Sequence, residues 1–234
     1  MIRVVCLLIG YALGSVQTAY ILGRIKGIDI RQHGSGNAGT TNTLRVLGTK
    51  AGLIVFVGDL MKSIIAILLT RALFAARYAD IAPLISIYTG AGCVLGHNFP
   101  FYLKFKGGKG IATTGGLMIA FHWLYIPFGL LVFFGNFFIT HIVSIGSLLL
   151  YLLFFAETIV IGQMGIFGVA QSVLIELYVI VFLLTVLAFY MHRANIKRLL
   201  TGTERKTYLL KKNKMDIETN SDARSYKGEG EDNK

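Results

Sequence analysis

Residues 170–190 read AQSVLIELYVIVFLLTVLAFY, a run interrupted by one charge, Glu176. A helix rises ~1.5 Å per residue and needs roughly 20 residues to cross the hydrocarbon core of a bilayer, so this run predicts a membrane-spanning helix. Working outward, further apolar stretches fall at about 144–161, 124–140, 112–123, 81–98, 51–70 and 2–22. The pair at 112–123 and 124–140 is short, with Pro127 near the start of the second, and is read as two short or tilted helices. The expected fold is an all-α integral membrane protein of seven transmembrane helices, with the N-terminus outside and the C-terminus cytosolic.

Composition agrees. Of 234 residues 54% are hydrophobic and 15% charged, against about 25% charged in ordinary globular chains. That is too little charge to cover a soluble body of this size, and a bilayer removes the need. The net charge of +11 does not indicate nucleic acid, because eleven of the 23 Lys and Arg lie in the last 42 residues and most of the rest sit in short gaps between apolar runs. Cationic gaps at 23–50, 99–111 and after 190 fall on one side of a seven-helix count, which the positive-inside rule makes cytosolic. Arg71 and Arg77 are a mild exception. Cys6 and Cys93 both lie in apolar runs and read as packing residues. The run at 2–22 passes into a basic loop with no clear cleavage site and reads as a retained helix. Residues 1–205 form one membrane domain; 206–234 form a polar cytosolic tail expected to be disordered.

The cytosolic gaps carry unusual chemistry. The first reads His33-Gly34-Ser35-Gly36-Asn37-Ala38-Gly39-Thr40-Thr41-Asn42, then Arg45. Glycine lets backbone N–H groups turn toward an anion, while Ser, Asn and Arg add side-chain donors. Gly34, Gly36 and Gly39 spell GxGxxG, but that dinucleotide signal requires a βαβ unit, and membrane spans flank this loop. The second gap runs from Gly96-His97 to Phe105-Lys106-Gly107-Gly108-Lys109-Gly110, directly before an apolar helix, and predicts glycine-assisted anion binding at a helix N-terminus. Its spacing is not that of a P-loop, which argues against triphosphate hydrolysis. The third begins His192-Arg193-Ala194-Asn195; on a continuing helix His192, Asn195 and Leu199 share a face. Within the second span, Asp59 and Lys62 are three apart and can pair.

Together these segments resemble the signature motifs of the bacterial acyl-phosphate:glycerol-3-phosphate acyltransferase family. The first is similar to SGNxGxxNxxR through Ser35, Gly36, Asn37, Gly39, Asn42 and Arg45. The second is similar to GHxFPxxxxFxGGKGxAT through Gly96, His97, Phe99, Pro100, Phe105, Gly107, Gly108, Lys109, Gly110, Ala112 and Thr113. The third is similar to HRxNIxRLxxGxE through His192, Arg193, Asn195, Ile196, Arg198, Leu199, Gly202 and Glu204. The likeness covers about residues 1–205. Two departures stand out: Ser63 where the family's GDxxKG has glycine, and His141 where an arginine is common before Ser144.

The resemblance implies transfer of an acyl chain from acyl phosphate to the sn-1 hydroxyl of glycerol 3-phosphate, giving lysophosphatidate and inorganic phosphate at the cytosolic face of the bacterial inner membrane. Ser35, Arg45, Lys109, His192 and Asn195 are the expected catalytic residues. Gly36, Asn37, Asn42, His97, Gly107, Gly108, Gly110, Thr113, Ser144, Arg193 and Glu204 are the expected substrate- and phosphate-binding ones. No metal or cofactor is expected, and the partners are the two substrates and the bilayer; the likeness also leaves room for an interaction with the acyltransferase that makes the acyl phosphate. The proton acceptor is left between His97, His192 and a phosphate oxygen of the donor, with substrate assistance favoured. Two rival readings are a transporter for a phosphorylated solute, whose site would lie nearer the bilayer midplane, and an acyltransferase using a thioester donor, whose HxxxxD cue is missing after His33 and His97.

Overall fold

A computed structural model describes residues 1–209; the expected disorder of 210–234 lies outside the described residues. Every apolar stretch read from the sequence is mainly helical. In chain order the α-helices are α1 Ile2–Gly14, α2 Thr18–Ile25, α3 Thr40–Leu47, α4 Thr49–Phe74, α5 Ala82–Asn98, α6 Ile111–Phe121, α7 Tyr125–Thr140, α8 Val143–Gln163, α9 Gln171–Met191 and α10 Arg193–Leu200. Five segments are long and apolar enough to cross a membrane: Ile2–Ile25, Thr49–Phe74, Ala79–Leu103, Val143–Gln163 and Gln171–Met191. The remaining two, α6 and α7, have 11 and 16 residues. At ~1.5 Å per residue a straight α6 covers about half of a ~30 Å core.

Two expectations change. The first run is not one unbroken helix: the chain breaks at Ser15–Gln17, between α1 and α2. Gln17 is fully buried there, and its amide Nε2 donates to the carbonyls of His97 at 2.9 Å and Gly96 at 3.4 Å. The break thus turns a polar side chain onto the end of α5. Likewise α9 does not continue through His192; its last turn closes with the His192 N–H on the carbonyls of Ala188 and Phe189, and a separate helix, α10, begins at Arg193.

The tightest interface is between α1 and α5. An added Cβ at Gly10 would lie 2.0 Å from the Thr89 carbonyl oxygen, one at Gly14 2.3 Å from that of Cys93, one at Gly92 2.1 Å from that of Leu7, and one at Gly96 2.2 Å from that of Tyr11. Two glycine pairs at i, i+4 spacing let the two backbones touch, as small residues do between membrane helices. The buried core continues through Leu84, Ile87, Leu117, Tyr151, Phe154 and Val181, joining α5 to α6, α8 and α9.

Inside the second span, Lys62 Nζ sits 2.9 Å from Asp59 Oδ1, so the expected pairing is present. The same ammonium also donates to the Val16 carbonyl at 2.8 Å and contacts His97 Nδ1 at 2.8 Å. Both charges are buried, and removing one partner from such a pair costs roughly 3–5 kcal/mol. The cluster fastens α4 to the α1–α2 break and to the end of α5.

Candidate active site

One end of the bundle encloses a cavity of about 820 Å³. It collects the loop before α3, the N-terminal turns of α3, α6 and α8, the end of α9, and α10 with the chain that follows it. Ser35, Gly36, Asn37, Asn42, Arg45, His97, Lys109, Gly110, Ser144, His192, Arg193, Asn195 and Glu204 all line it. Three expected residues do not: Gly107, Gly108 and Thr113. The Thr113 hydroxyl is fully buried beneath the helix start, without a partner.

The glycines do different work from that expected. The N–H groups of Gly107 and Gly108 donate to the carbonyls of Asn98 and His97, at 3.1 and 3.0 Å, and so face away from any anion. A Cβ at Gly107 would lie 2.1 Å from the His97 carbonyl oxygen, and one at Gly108 2.0 Å from His97 Nε2. These glycines let the loop lie flat against His97. In the first loop, the N–H of Ser35 goes to Asn42 Oδ1 at 2.8 Å, that of Gly36 to the His33 carbonyl, and that of Gly39 to the Asn37 carbonyl. Asn42 also donates to the carbonyls of Ile30 and His33, so it shapes the loop with its whole amide. Gly34, at φ +61°, leaves room for Asn42 Oδ1, which an added Cβ would meet at 2.4 Å. Backbone donors for an anion come instead from helix starts. The first N–H groups of a helix lack intrahelical partners, and three such starts converge on the cavity, each with the positive end of its dipole inward.

Glu204 organises the charged side chains. Its Oε1 accepts from Asn195 Nδ2 at 2.6 Å and Ser144 Oγ at 3.0 Å, and its Oε2 from Arg198 Nε at 2.7 Å. Asn195 in turn accepts from the Lys109 ammonium. Burial raises the Glu204 pKa, but the bonds from Asn195, Arg198 and Ser144 outweigh that and hold it below the usual carboxylate range. An anion is a poor partner for phosphate, and the three bonds that Glu204 accepts place the amide, hydroxyl and guanidinium groups around the cavity.

Lys109 is pulled down to about 8, first by burial and then by Arg198, Arg45 and Arg193 nearby. His192 is nearly buried, and its Nδ1 is 2.8 Å from the Ala188 carbonyl, an oxygen that can only accept. The proton therefore sits on Nδ1, leaving Nε2 as an acceptor. Burial and the neighbouring Lys109 push the His192 pKa down to about 4. Arg45 is 8% exposed; one terminal nitrogen donates to Thr207 Oγ1 at 2.6 Å, while its Nε has no partner. Arg193 is exposed, stacked over the Tyr190 ring at 4.4 Å.

The cavity is not polar throughout. Leu53, Phe56, Phe133, Phe134 and Phe137 line one flank. A second, almost wholly apolar groove shares Phe56, Ile111, Ala112, Phe133 and Phe134 with it, and runs on past Gly115 and Met118 between α4, α6 and α7. Among the described residues no cluster of His, Cys, Asp or Glu has the make-up of a metal site. The sequence reading missed the aromatic flank, Arg198 as a site residue, and Arg205 and Thr207. The run Phe133–Phe134 and Phe137–Phe138 signalled an aromatic face; nothing in the polar tail signalled Thr207.

Residues 4–202 match the family model described as Glycerol-3-phosphate acyltransferase. The chain belongs to this family. It is 43% identical over 205 residues to the glycerol-3-phosphate acyltransferase of Clostridioides difficile strain 630, a match covering 87% of this chain and 94% of that protein. It is 40% identical over 210 residues to that of Bacillus subtilis strain 168, covering 88% and 98%. A crystal structure of PlsY (YgiH), an integral membrane glycerol 3-phosphate acyltransferase in its glycerol 3-phosphate form, has 34% identity and a TM-score of 0.75, covering 89% of this chain and 96% of that one. The lysphosphatidic acid form of PlsY gives 32% and 0.74. As a member of the glycerol-3-phosphate acyltransferase family the chain is an acyltransferase, and its apolar helices and integral membrane relatives place it in a membrane.

Proposed function

We propose that the chain transfers an acyl group from acyl phosphate to the sn-1 hydroxyl of glycerol 3-phosphate, yielding lysophosphatidate and inorganic phosphate. The observation that carries this reading is the single cavity in which a cationic floor meets an apolar groove. Two phosphates need cationic donors, and Arg45, Lys109 and Arg193, with Ser35 and the starts of α3, α6 and α8, supply them. One substrate also carries a fatty chain, which the groove beyond Phe56 and Phe133 accepts in an apolar setting.

In the reaction the sn-1 oxygen attacks the acyl carbonyl carbon. The new ester C–O bond forms, the carbonyl–phosphate C–O bond breaks, and phosphate leaves with the bonding electrons. Charge grows on the leaving phosphate, so a fixed cation beside it stabilises the transition state more than the ground state. His192, with a free Nε2 and a pKa of about 4, is a weak base but a good acceptor for a glycerol hydroxyl. That favours the phosphate, with a second pKa near ~6 by analogy with phosphoserine, as the proton's destination. His192 and Asn195 then position the acceptor, and Glu204, Asn42, Gly107 and Gly108 hold the framework. No nucleophilic cysteine lines the cavity, consistent with direct transfer between two bound substrates.

The site end carries the basic loops, which makes it cytosolic by the positive-inside rule. The bond from Arg71 Nη1 to the Ala120 carbonyl ties the end of α6 to the far end of α4, and α7 returns to the site at His141. This supports seven crossings, two of them short, in the bacterial inner membrane. Residues 1–205 with the strap that follows are read as one catalytic unit.

Purified protein given palmitoyl phosphate and labelled glycerol 3-phosphate, without coenzyme A or added metal, should form lysophosphatidate. Product from palmitoyl-coenzyme A but none from palmitoyl phosphate would overturn the donor assignment.

A further inference from the structure

The chain just past the family match is built into the site, including residues 206–209, which the sequence reading assigned to a disordered tail. After α10 it turns at Gly202 and then runs without helix to Leu209. The Thr207 N–H donates to the His141 carbonyl at 2.8 Å, Thr49 Oγ1 donates to the Leu209 carbonyl at 2.6 Å, and the Tyr208 ring lies 4.7 Å from that of His141. The segment is thus a strap from α10 to the loop before α8 and the start of α4. Thr207 is 1% exposed, and its hydroxyl accepts from Arg45 Nη2 at 2.6 Å; the Arg205 carbonyl accepts from the same nitrogen at 3.3 Å.

We propose that Thr207 is a positioning residue for phosphate recognition: by holding Nη2 it fixes the Arg45 guanidinium against the cavity wall, so that the part of the fork that lines the cavity meets a phosphate monoester. This rests on the phosphate-handling reading of the cavity above. Arg45 faces Lys109, Arg198 and Arg205. With so many cations nearby, an untethered guanidinium is pushed outward. Two neutral oxygens hold it in without cancelling its charge, which a carboxylate in their place would do.

The test uses the full-length protein, with glycerol 3-phosphate and palmitoyl phosphate varied in turn. Thr207→Val keeps the shape and removes the acceptor; it should raise KM for one of the two phosphates about tenfold, more than it lowers kcat, as expected for a lost hydrogen bond to a charged group. The substrate affected tells whether Arg45 reads donor or acceptor. Thr207→Ser should stay within about twofold of wild type, and in an Arg45→Lys background Thr207→Val should add less than about twofold. Unchanged KM values, or an equal effect in both backgrounds, overturn the proposal. Should Thr207→Val fail to fold, protection by inorganic phosphate against thermal unfolding is compared in Thr207→Ala and Thr207→Ser. Protection lost only with Ala supports the role; equal protection overturns it. Because this readout needs no turnover, a wild type protected by phosphate yet inactive with palmitoyl phosphate would sink the proposed function and leave the strap standing.

Discussion

At the end of the bundle away from the cavity, Arg3 donates to both oxygens of Glu176, at 2.5 and 2.8 Å, and Tyr88 donates to the same carboxylate at 2.8 Å. There one cation meets one anion and a hydroxyl completes the set. At the cavity end, Glu204 alone serves Asn195, Ser144 and Arg198, while Lys109, Arg45, Arg193 and Arg205 crowd round it. The far cluster is closed and ties α1 to α9. The near one carries more positive charge than the protein neutralises, and under the proposed function that surplus is what two phosphate-bearing substrates complete.

The comparison breaks most visibly if cations at the two ends prove equivalent. Lys109→Ala and Arg45→Ala should each lower kcat/KM by roughly 10²–10³, the scale for losing one preorganised donor; near-normal formation of lysophosphatidate would refute it. Next comes pH. Lys109 loses its charge as pH rises through about 8, so the affinity for either phosphate should fall above that point, by up to about tenfold per unit. Lys109→Arg, with a cation that persists, should flatten the alkaline limb. Glu204 raises the Lys109 pKa, so Glu204→Gln should move that limb to lower pH; a pH profile that keeps its midpoint would show the two groups to be uncoupled.

On the apolar side, Gly115 lines the groove, with open space where a Cβ would stand. Gly115→Phe should cut kcat/KM for long acyl phosphates on the order of tenfold relative to short ones; an unchanged chain-length profile would place the acyl chain elsewhere. The smallest effect belongs to the far end. Arg3→Met should leave turnover alone and cost about 1 kcal/mol or less of stability, since the pair is partly exposed, as a thermal unfolding series in detergent would show.

Much of this was readable from the residues. Apolar length gave every long helix, and basic gaps marked the end where Ser35, Lys109 and Asn195 meet. What escaped depends on direction rather than composition. Gly107 and Gly108 looked like anion ligands because glycine permits either role; only the position of His97 shows that their N–H groups point back to α5. The break at Ser15–Gln17 left a trace in the polar Ser15, Gln17 and Thr18, but uncharged polar residues are tolerated inside a span, and the carbonyls that satisfy Gln17 lie some eighty residues away. Thr207 sits among residues whose polarity reads as solvent-facing. The paired glycines of α1 and α5 did carry a signal, since Gly10 and Gly14, and Gly92 and Gly96, repeat at the small-xxx-small interval.

That backbone contact bears on biogenesis. The first helix enters the bilayer well before the ribosome has made its mate, so through synthesis of α2 to α4 its glycine face can rest only on lipid. Once α5 arrives, bare peptide meets bare peptide in a single register, and the same event brings Gln17 to His97 and so sets the floor of the chemistry. A bulkier residue at Gly14 or Gly96 would be felt first as a nascent chain that inserts and then fails to mature, long before any substrate is offered to it.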